Sequence, residues 1–287
     1  MTRARGFTLI EMAIVLVIIT LLIGGLAMPL SAQIQARRIA ETNKTLEEAR
    51  EALIGYAMNH ATTTTCVCRY AGNGLFSSTD CPAIASCPTS ISPPPGFTTD
   101  ATLTIAARHY FPCPDALDDG NPATTNDGDG IEEARVGGVC PISNGYLPWV
   151  TLGAAAQDGW GNRLRYAVTD AFSNMAGFSS ANTGDLQVCN SSANAGAGNC
   201  GAHGSVASDV PVVVLSLGPN GWGARNINGT TLRQPTSADE KENVSTATKN
   251  FVSRTPSNDL SNEFDDLVKW ISADQLRGRI CPAGGCP

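Results

Sequence analysis

An uninterrupted apolar run near the start of the chain constrains what the rest can fold into. No charged residue occurs between Met12 and Leu30. About 20 consecutive apolar residues are the length that crosses a bilayer as a helix. Arg3 and Arg5 precede the run, and basic residues mark the end of a span that stays in the cytoplasm. We therefore expect a transmembrane helix at residues 7–30, with the remainder of the chain outside the cytoplasm.

A cleavable secretory signal is the main alternative interpretation of this run. Such a signal has a basic start, a shorter apolar core and a cleavage site of small residues after the core. Candidate cleavage sites lie near Leu26–Met28 and Ser31–Gln33. Two features favour a retained anchor: the run is longer than an ordinary signal core, and Glu11 places a carboxylate near its start. A discarded segment has no use for such a group.

The residues that precede the run carry a specific resemblance. The hexapeptide Gly6-Phe-Thr-Leu-Ile-Glu11 resembles the leader junction of type IV prepilins and type II secretion pseudopilins. The resemblance implies that a prepilin peptidase/N-methyltransferase cleaves after Gly6 and removes residues 1–6 as a leader. It also implies that the new terminus, Phe7, is methylated and that Glu11 serves filament assembly.

Electrostatics supports this role for Glu11. A charged group inside a membrane is costly and usually has a partner. Cleavage after Gly6 creates an amine at Phe7, so Glu11 of one subunit can pair with the Phe7 amine of a neighbour. Such a pair would satisfy both charges and select one axial register. The alternative is that the Glu11 side chain reaches the membrane interface unpaired.

The helix is expected to continue beyond the membrane to about His60. Residues 31–60 form its amphipathic half, because apolar residues recur there with helical spacing. That face comprises Leu46, Ala49, Leu53 and Tyr56. Gly24-Gly25 and Pro29 predict two interruptions, since glycine weakens a helix and proline removes a backbone donor.

Ten cysteines follow the helix, and their even number in a polar, exported region favours disulfides. Metal binding would need C-x2-C pairs, which the sequence lacks, and its three histidines are scattered. Cysteines 66, 68, 81 and 87 are expected to pair among themselves. A Cys66–Cys68 bridge is disfavoured because neighbours on one side of a strand offer poor geometry. Local proximity favours the other pairs, namely Cys113–Cys140, Cys189–Cys200 and Cys281–Cys286.

Residues 61–287 are predicted to form one pilin-like globular domain. Alternating or apolar segments that indicate strands are residues 147–152, 163–168, 185–189 and 210–217. The segments Asp158–Asn162 and Asp265–Trp270 resemble parts of the sheet of major pseudopilins. The resemblance implies an α+β fold, with a long N-terminal transmembrane α-helix packed on a C-terminal antiparallel β-sheet domain with disulfide-rich loops. Polar inserts are expected at about 61–100 and 222–260, the second of them as a loop.

Calcium is the candidate cofactor. The acidic residues between Asp115 and Asp129 do not fit the EF-hand template, since its first and last positions fall on Thr125 and Val136. Major pseudopilins hold calcium in a loop, and the resemblance implies candidate calcium ligands at the corresponding positions of this chain. These candidates are Ser216, Asn220, Asp265 and Asp266. Asn220 stands where an aspartate is usual, and solvated turns are the alternative at both places.

The sequence contains no catalytic or phosphate-binding motif, so an enzyme is not expected. Residues 52–287 carry thirteen Lys/Arg against twenty-one Asp/Glu, which makes nucleic acid an improbable partner. The favoured function is a structural subunit of a type IV pilus-like or type II secretion pseudopilus filament. It would sit in the inner membrane as a single-pass protein with a periplasmic C-terminal domain.

Two other functions stay open at this point. The chain could be a minor tip pilin that acts as a binding or adhesion module, or a membrane-anchored periplasmic enzyme. In the favoured reading its partners are the membrane, other pilin or pseudopilin subunits, the processing peptidase and an inner-membrane assembly platform.

Overall fold

The computed structural model describes residues 8–62, 65–70, 76–77, 100–104, 108–116, 128–194, 200, 204–259 and 262–280, with the backbone alone for residues 24–30, 61–104 and 194. Its helices are α1 (Leu9–Asn59), α2 (Trp149–Leu152), α3 (Asp170–Ser173), α4 (Ala238–Val244) and α5 (Ala273–Ile280). Its strands are β1 (Ala61–Thr62), β2 (Thr65–Tyr70), β3 (Phe76–Ser77), β4 (Asp100–Thr104), β5 (Arg108–His109), β6 (Asn144–Tyr146), β7 (Arg165–Val168), β8 (Leu186–Cys189), β9 (Ser205–Val210), β10 (Val212–Ser216), β11 (Asn250–Val252) and β12 (Leu267–Ile271). This is the α+β arrangement that the sequence predicts.

Helix α1 has nearly the predicted bounds. Thr8 is its N-cap and His60 its C-cap, where the His60 N–H donates to the Tyr56 carbonyl. At 1.5 Å per residue its 51 residues extend about 77 Å. No stretch of helix among the described residues combines the length and the apolarity that a membrane crossing requires.

The predicted interruptions of α1 are wrong. The helix is continuous through Gly24, Gly25 and Pro29. A proline removes a single backbone donor from the helical ladder. The hydrogen bonds on either side of that gap are enough to keep the backbone helical.

Strands β12, β10, β7 and β6 form the main sheet in that spatial order, and every neighbouring pair is antiparallel. The second half of α1 packs on one face of this sheet. Leu46, Ala49 and Leu53 are almost fully buried, and Tyr56 is 9% exposed. This confirms the face predicted from the spacing. Each fully buried leucine contributes about 1.5–3 kcal/mol to stability.

The opposite face of the main sheet is covered as well. Strands β11, β8 and β9 form a second sheet in which β11 runs parallel to β8 and β9 antiparallel to it. In β10, Val212 and Val214 belong to the apolar cluster under α1, whereas Val213 and Leu215 belong to the cluster under the second sheet. Because side chains alternate along a strand, a strand covered on both faces is apolar throughout.

The insert at 222–260 is more ordered than the sequence suggests. The expectation of a loop is wrong, since the insert contains α4 and supplies β11 to the second sheet. Although the insert is polar overall, two of its apolar residues are buried in the domain: Phe251 and Val252 are 1% and 0% exposed. The insert at 61–100 contains β1 to β3 and the start of β4, with β2 antiparallel to β3 and β4.

The predicted strand at 147–152 is also wrong, because α2 begins at Trp149. Pro148 precedes the helix, and Gly153 ends it in the left-handed conformation with φ 63°. The Val150 and Thr151 N–H groups donate to the Gly130 carbonyl and are therefore unavailable to a neighbouring strand. A short apolar run alone does not distinguish a strand from a buried helical turn.

The turn at Asp158–Asn162 joins the sheet to the helix. Asp158 Oδ1 accepts the backbone N–H groups of Trp160 and Asn162, and its Oδ2 accepts the Ser216 hydroxyl at 2.6 Å. The Gly159 N–H donates to Oγ1 of Thr42 in α1 at 2.9 Å. Trp160 in this turn is only half-buried, and the adjacent Gly159 makes the contact with the helix.

Two of the predicted disulfides are present. Cys113 and Cys140 are joined with a Cα–Cα distance of 5.4 Å, and Cys189 and Cys200 with one of 5.3 Å. The bridges join residues that are 27 and 11 positions apart in the sequence, respectively. The Cys281–Cys286 pair and cysteines 66, 68, 81 and 87 lie outside the residues whose side chains are described.

The contact at Gly159 predicts a sharp sensitivity to one added methyl group. A Cβ at this position would lie 2.8 Å from the Arg38 carbonyl oxygen and 3.1 Å from Thr42 Oγ1. We expect Gly159→Ala to lower the free energy of unfolding by about 1–3 kcal/mol, the usual cost of overpacking. Denaturant titration of the protein in detergent measures this change.

Gly55→Ala provides the matched control, because nothing lies within 4 Å of a Cβ there. Alanine is the better helix former by about 1 kcal/mol, so this variant should be as stable as the parent or more so. Equal stabilities for the two variants would contradict a tight contact at Gly159.

Candidate functional site

The start of α1 is fixed by a reciprocal pair of hydrogen bonds between Thr8 and Glu11. The Thr8 backbone N–H and hydroxyl both donate to Glu11 Oε2 at 2.8 Å, and the Glu11 N–H donates to Thr8 Oγ1 at 3.4 Å. This is a capping box, and the spacing Thr-x-x-Glu is its sequence signature. Sequence reasoning that assigned Glu11 to assembly alone missed this second role. Gly6 and Phe7 lie outside the described residues.

The first half of α1 presents apolar side chains on all sides. From Leu9 to Ile23 its large apolar residues are between 44% and 89% exposed. Contiguous apolar surface of this extent marks a site of contact with a membrane or with other proteins. The second half of the same helix buries one face against the sheet domain. The apolar surface that still requires a covering therefore lies in the first half of the helix.

A second candidate site lies where the insert meets the main sheet. Glu240 on α4 and the consecutive residues Asp265 and Asp266, just before β12, bring their carboxylate oxygens within 4.8 Å of one another. Glu240 and Asp266 are 1% and 5% exposed. Among the described residues this is the one group of three or more acidic, histidine or cysteine side chains that could share a cation.

Hydrogen bonds satisfy only part of this cluster. The Asn220 side-chain amide donates to Glu240 Oε1 at 3.0 Å, and its backbone N–H donates to Asp265 Oδ2 at 3.0 Å. Asn243 donates to Asp266 Oδ2 at 2.8 Å. Glu240 Oε2 and Asp265 Oδ1 are buried and have no hydrogen-bond partner in the described part of the chain. Buried oxygens left in this state cost stability unless another group binds them.

The electrostatics of the cluster disfavours three negative charges. Burial, together with a smaller contribution from the neighbouring carboxylates of Glu240 and Glu263, raises the pKa of Asp265 to about 7. Burial raises the pKa of Asp266 well above its usual value, and it also raises that of Glu240. The cluster therefore requires protons or a cation to be stable.

The cationic side chain of Arg254 does not neutralise the cluster directly. Its Nε pairs with Asp239 Oδ2 at 2.6 Å, and its terminal nitrogen donates to the Asn262 backbone and side-chain oxygens. The guanidinium also lies over the Phe264 ring at 4.7 Å. Arg254 lowers the pKa of Glu240 only as a minor influence, after burial and local hydrogen bonds.

The four residues that the sequence suggested as calcium ligands differ in whether they lie in this cluster. Asp265 and Asp266 lie together in the cluster. Asn220 lies beside it, but its Oδ1 accepts the Trp222 N–H, so its amide faces the carboxylates as a donor. The Ser216 hydroxyl donates to Asp158. Glu240 was missed because it lies in the insert and nothing in its local sequence distinguishes it from a surface glutamate.

In the other acidic loop, burial raises the pKa of Asp115 to about 7, and the nearby carboxylates of Asp129 and Glu133 contribute to this rise. Asp115 Oδ1 is buried without a hydrogen-bond partner among the described residues. Asp115 is fully buried and its Oδ2 accepts the Gly130 N–H at 3.0 Å, while Asp129 Oδ1 accepts the Ile131 N–H at 2.7 Å. The Asp129 bond is a local contact of the kind that stabilises turns, whereas the Asp115 bond joins two residues that are 15 positions apart in the sequence. Residues 117–127, which carry the remaining acidic side chains of this loop, lie outside the described residues.

Comparison with known proteins gives one finding at the amino terminus. Residues 1–27 match the family model described as the prokaryotic N-terminal methylation motif. No curated protein and no solved structure matches the chain. The match covers the junction at Gly6 and Phe7, the capping box and most of the apolar run.

Proposed function

We propose that this chain, whose N-terminal methylation motif is the hallmark of the type IV prepilin and pseudopilin family, is a structural subunit of a pilus-like or type II secretion pseudopilus filament. The motif implies a precursor that is processed by a prepilin peptidase and assembles with other pilin-type subunits. One observation carries the proposal furthest: the motif leads directly into the exposed apolar half of the helix whose other half forms the core of the domain.

The division of α1 into two halves suits a filament subunit. Its apolar half needs a covering that lipid can supply before assembly and neighbouring helices after it. We therefore place the precursor in the inner membrane with its C-terminal domain in the periplasm, at an assembly platform that extracts it. Nothing in the described site points to catalysis, and the role is structural.

Glu11 is suited to set the register between subunits. Its carboxylate lies within the first turn of α1, one turn from the amine that cleavage after Gly6 would create at Phe7. In a filament this carboxylate would be surrounded by apolar helices, where an unpaired charge is costly. Pairing with the Phe7 amine of a neighbour satisfies both groups, whereas the capping bonds to Thr8 are made within one subunit.

A minor tip subunit is the second candidate. The observation that favours it is the second sheet, which together with its insert extends the domain beyond the helix and main sheet. Such a layer can serve adhesion or binding as well as structure. A major subunit would dominate sheared filaments, whereas a tip subunit would be scarce in them.

We also propose that the carboxylate cluster binds calcium. Calcium prefers oxygen ligands at 2.3–2.6 Å, so ligand oxygens on one ion lie at most about 5 Å apart, and the cluster oxygens lie within 4.8 Å. The residues Glu240, Asp265 and Asp266 would supply three side-chain ligands. The two buried oxygens without partners support this assignment, because an ion would satisfy both of them.

Processing after Gly6 is the first test. N-terminal mass spectrometry of the membrane-derived protein should find a methylated Phe7. Gly6→Val should leave residues 1–6 attached, because the peptidase would no longer meet glycine at the junction. Ala4→Val, a change of similar size inside the leader, should be processed normally. A mature terminus near Gln33 would instead identify an ordinary secretory signal.

The assembly role of Glu11 is tested by Glu11→Gln. Glutamine keeps the capping box, for which Glu and Gln are equivalent, and removes the charge alone. Filaments should be lost from sheared preparations while membrane levels and disulfides stay normal. Glu41→Gln, which neutralises an exposed carboxylate later in the same helix, should assemble like the parent.

Normal filament yield from Glu11→Gln at matched membrane levels would reject the charge-pairing role. The same preparations report how abundant the chain is in wild-type filaments. That abundance decides between a major and a tip subunit.

Calcium binding is tested by calorimetric titration of the full chain in detergent after treatment with EDTA. Calcium should bind and raise the melting temperature, since a ligand of the native state stabilises it. Asp265→Asn should weaken binding by about tenfold or more, which corresponds to about 1.4 kcal/mol or more. Asp274→Asn removes a carboxylate that is 93% exposed on α5 and should bind like the parent. Equal affinities for the two variants would place the ion elsewhere.

A further inference from the structure

Helix α4 packs against the domain through polar side chains. Its buried residues are Asp239, Glu240 and Asn243, with exposed fractions of 4%, 1% and 0%. Its one large apolar residue, Val244, is only partly buried against the apolar cluster under the second sheet. A helix of a globular domain normally buries an apolar stripe. The attachment of α4 therefore depends on whether its buried polar groups are satisfied.

Asp239 is satisfied within the chain. It accepts the backbone N–H and the hydroxyl of Ser192, both at 2.7 Å, and it forms an ion pair with Arg254 at 2.6 Å. These bonds attach the start of α4 to the segment that follows β8. They neutralise the charge that α4 buries at this position.

Asn243 is satisfied too, and it connects α4 to β11. Its Nδ2 donates to the Val252 carbonyl at 3.0 Å and to Asp266 Oδ2 at 2.8 Å, and its Oδ1 accepts the Val252 N–H at 2.7 Å. Adjacent to this contact, Phe251 is 1% exposed in the apolar cluster under the second sheet. Residues 238–252 are therefore one connected unit, which we call the α4–β11 segment.

Glu240 differs from its two neighbours on α4. It is equally buried, but it faces two further carboxylates, and its Oε2 has no hydrogen-bond partner among the described residues. Like charges this close repel strongly where water is excluded. In the absence of a cation, repulsion at the Glu240 carboxylate therefore destabilises the packing of α4 on the domain, which Asp239 and Asn243 stabilise. With a bound cation, the same carboxylate would be a ligand that holds α4 against Asp265 and Asp266.

We propose that a divalent cation bound by Glu240, Asp265 and Asp266 fastens the α4–β11 segment onto the main sheet, and that its removal releases this segment while the α1–sheet core stays folded. The inference rests on the proposed calcium site. The release is local because none of the residues of the apolar cluster that joins α1 to the main sheet comes from residues 238–252. Phe251 of this segment packs in the separate cluster under the second sheet, and a unit outside the α1 cluster can open while that cluster stays folded.

The proposal is tested by measuring backbone hydrogen exchange of the full chain in detergent, once in EDTA and once in calcium. Calorimetric titration of the same preparation measures whether calcium binds. With calcium at about a hundred times its Kd, exchange through opening of the α4–β11 segment should slow by up to about a hundredfold. Backbone amides of residues 46–57 in α1 and of β10 should exchange at the same rate in both conditions.

Glu240→Gln and Glu242→Gln form a matched pair on one helix. Glutamine at 240 keeps an acceptor for the Asn220 amide and removes the repulsion, so the segment should already be protected in EDTA and should not respond to calcium. Glu242→Gln changes the net charge of α4 equally but lies outside the carboxylate cluster. It should behave like the parent.

Three results would overturn the inference. First, calorimetry could show calcium binding while exchange in the α4–β11 segment is not slowed. This result would support the ion site but reject its coupling to the segment. Slowing that is equal in α1, β10 and the segment would show stabilisation of the whole domain instead of a local attachment. Absence of any calcium binding would remove the ion site and the inference together.

Discussion

The burial of one face of α1 against the main sheet is the interaction on which the rest of the structure depends. Leu46, Ala49 and Leu53 belong to the face of α1 that packs over β10 and β12, and the sheet cannot bury its own face without this helix. The first half of the helix lies away from the described part of the domain, and its apolar side chains are exposed there. In the proposed function, a filament or a membrane covers them.

Polar contacts refine this arrangement. The capping of the 158–162 turn by Asp158, and the close approach of Gly159 to Thr42, fix the position of the helix along its axis. Apolar packing alone would allow the sheet to shift along the helix axis at little cost, because leucine and alanine side chains have similar neighbours one turn away. The hydrogen bond from the Gly159 N–H to the Thr42 hydroxyl oxygen needs one axial position of the helix, so it favours one register between helix and sheet.

The second sheet shows how a polar insert can become part of a core. Phe251 enters the apolar cluster under the second sheet and Val252 is fully buried, whereas α4 turns Asp239, Glu240 and Asn243 inward. This makes the outer layer dependent on charge balance in a way that the inner layer is not. The proposed filament role belongs to α1 and the proposed cation role belongs to this layer, so the two can be affected separately.

The sequence by itself predicted the long helix and its buried face, strands at 163–168, 185–189 and 210–217 that overlap β7, β8 and β10, and two of the disulfide pairs. These features depend on local spacing, which is visible in one dimension. The sequence did not determine whether residues 147–152 form a strand or a helical turn, or that the insert carries a helix and a strand. Tertiary structure alone decided that Glu240 meets Asp265 and Asp266, because the pairing of distant carboxylates depends on how the insert folds back onto the sheet. No local pattern encodes that approach.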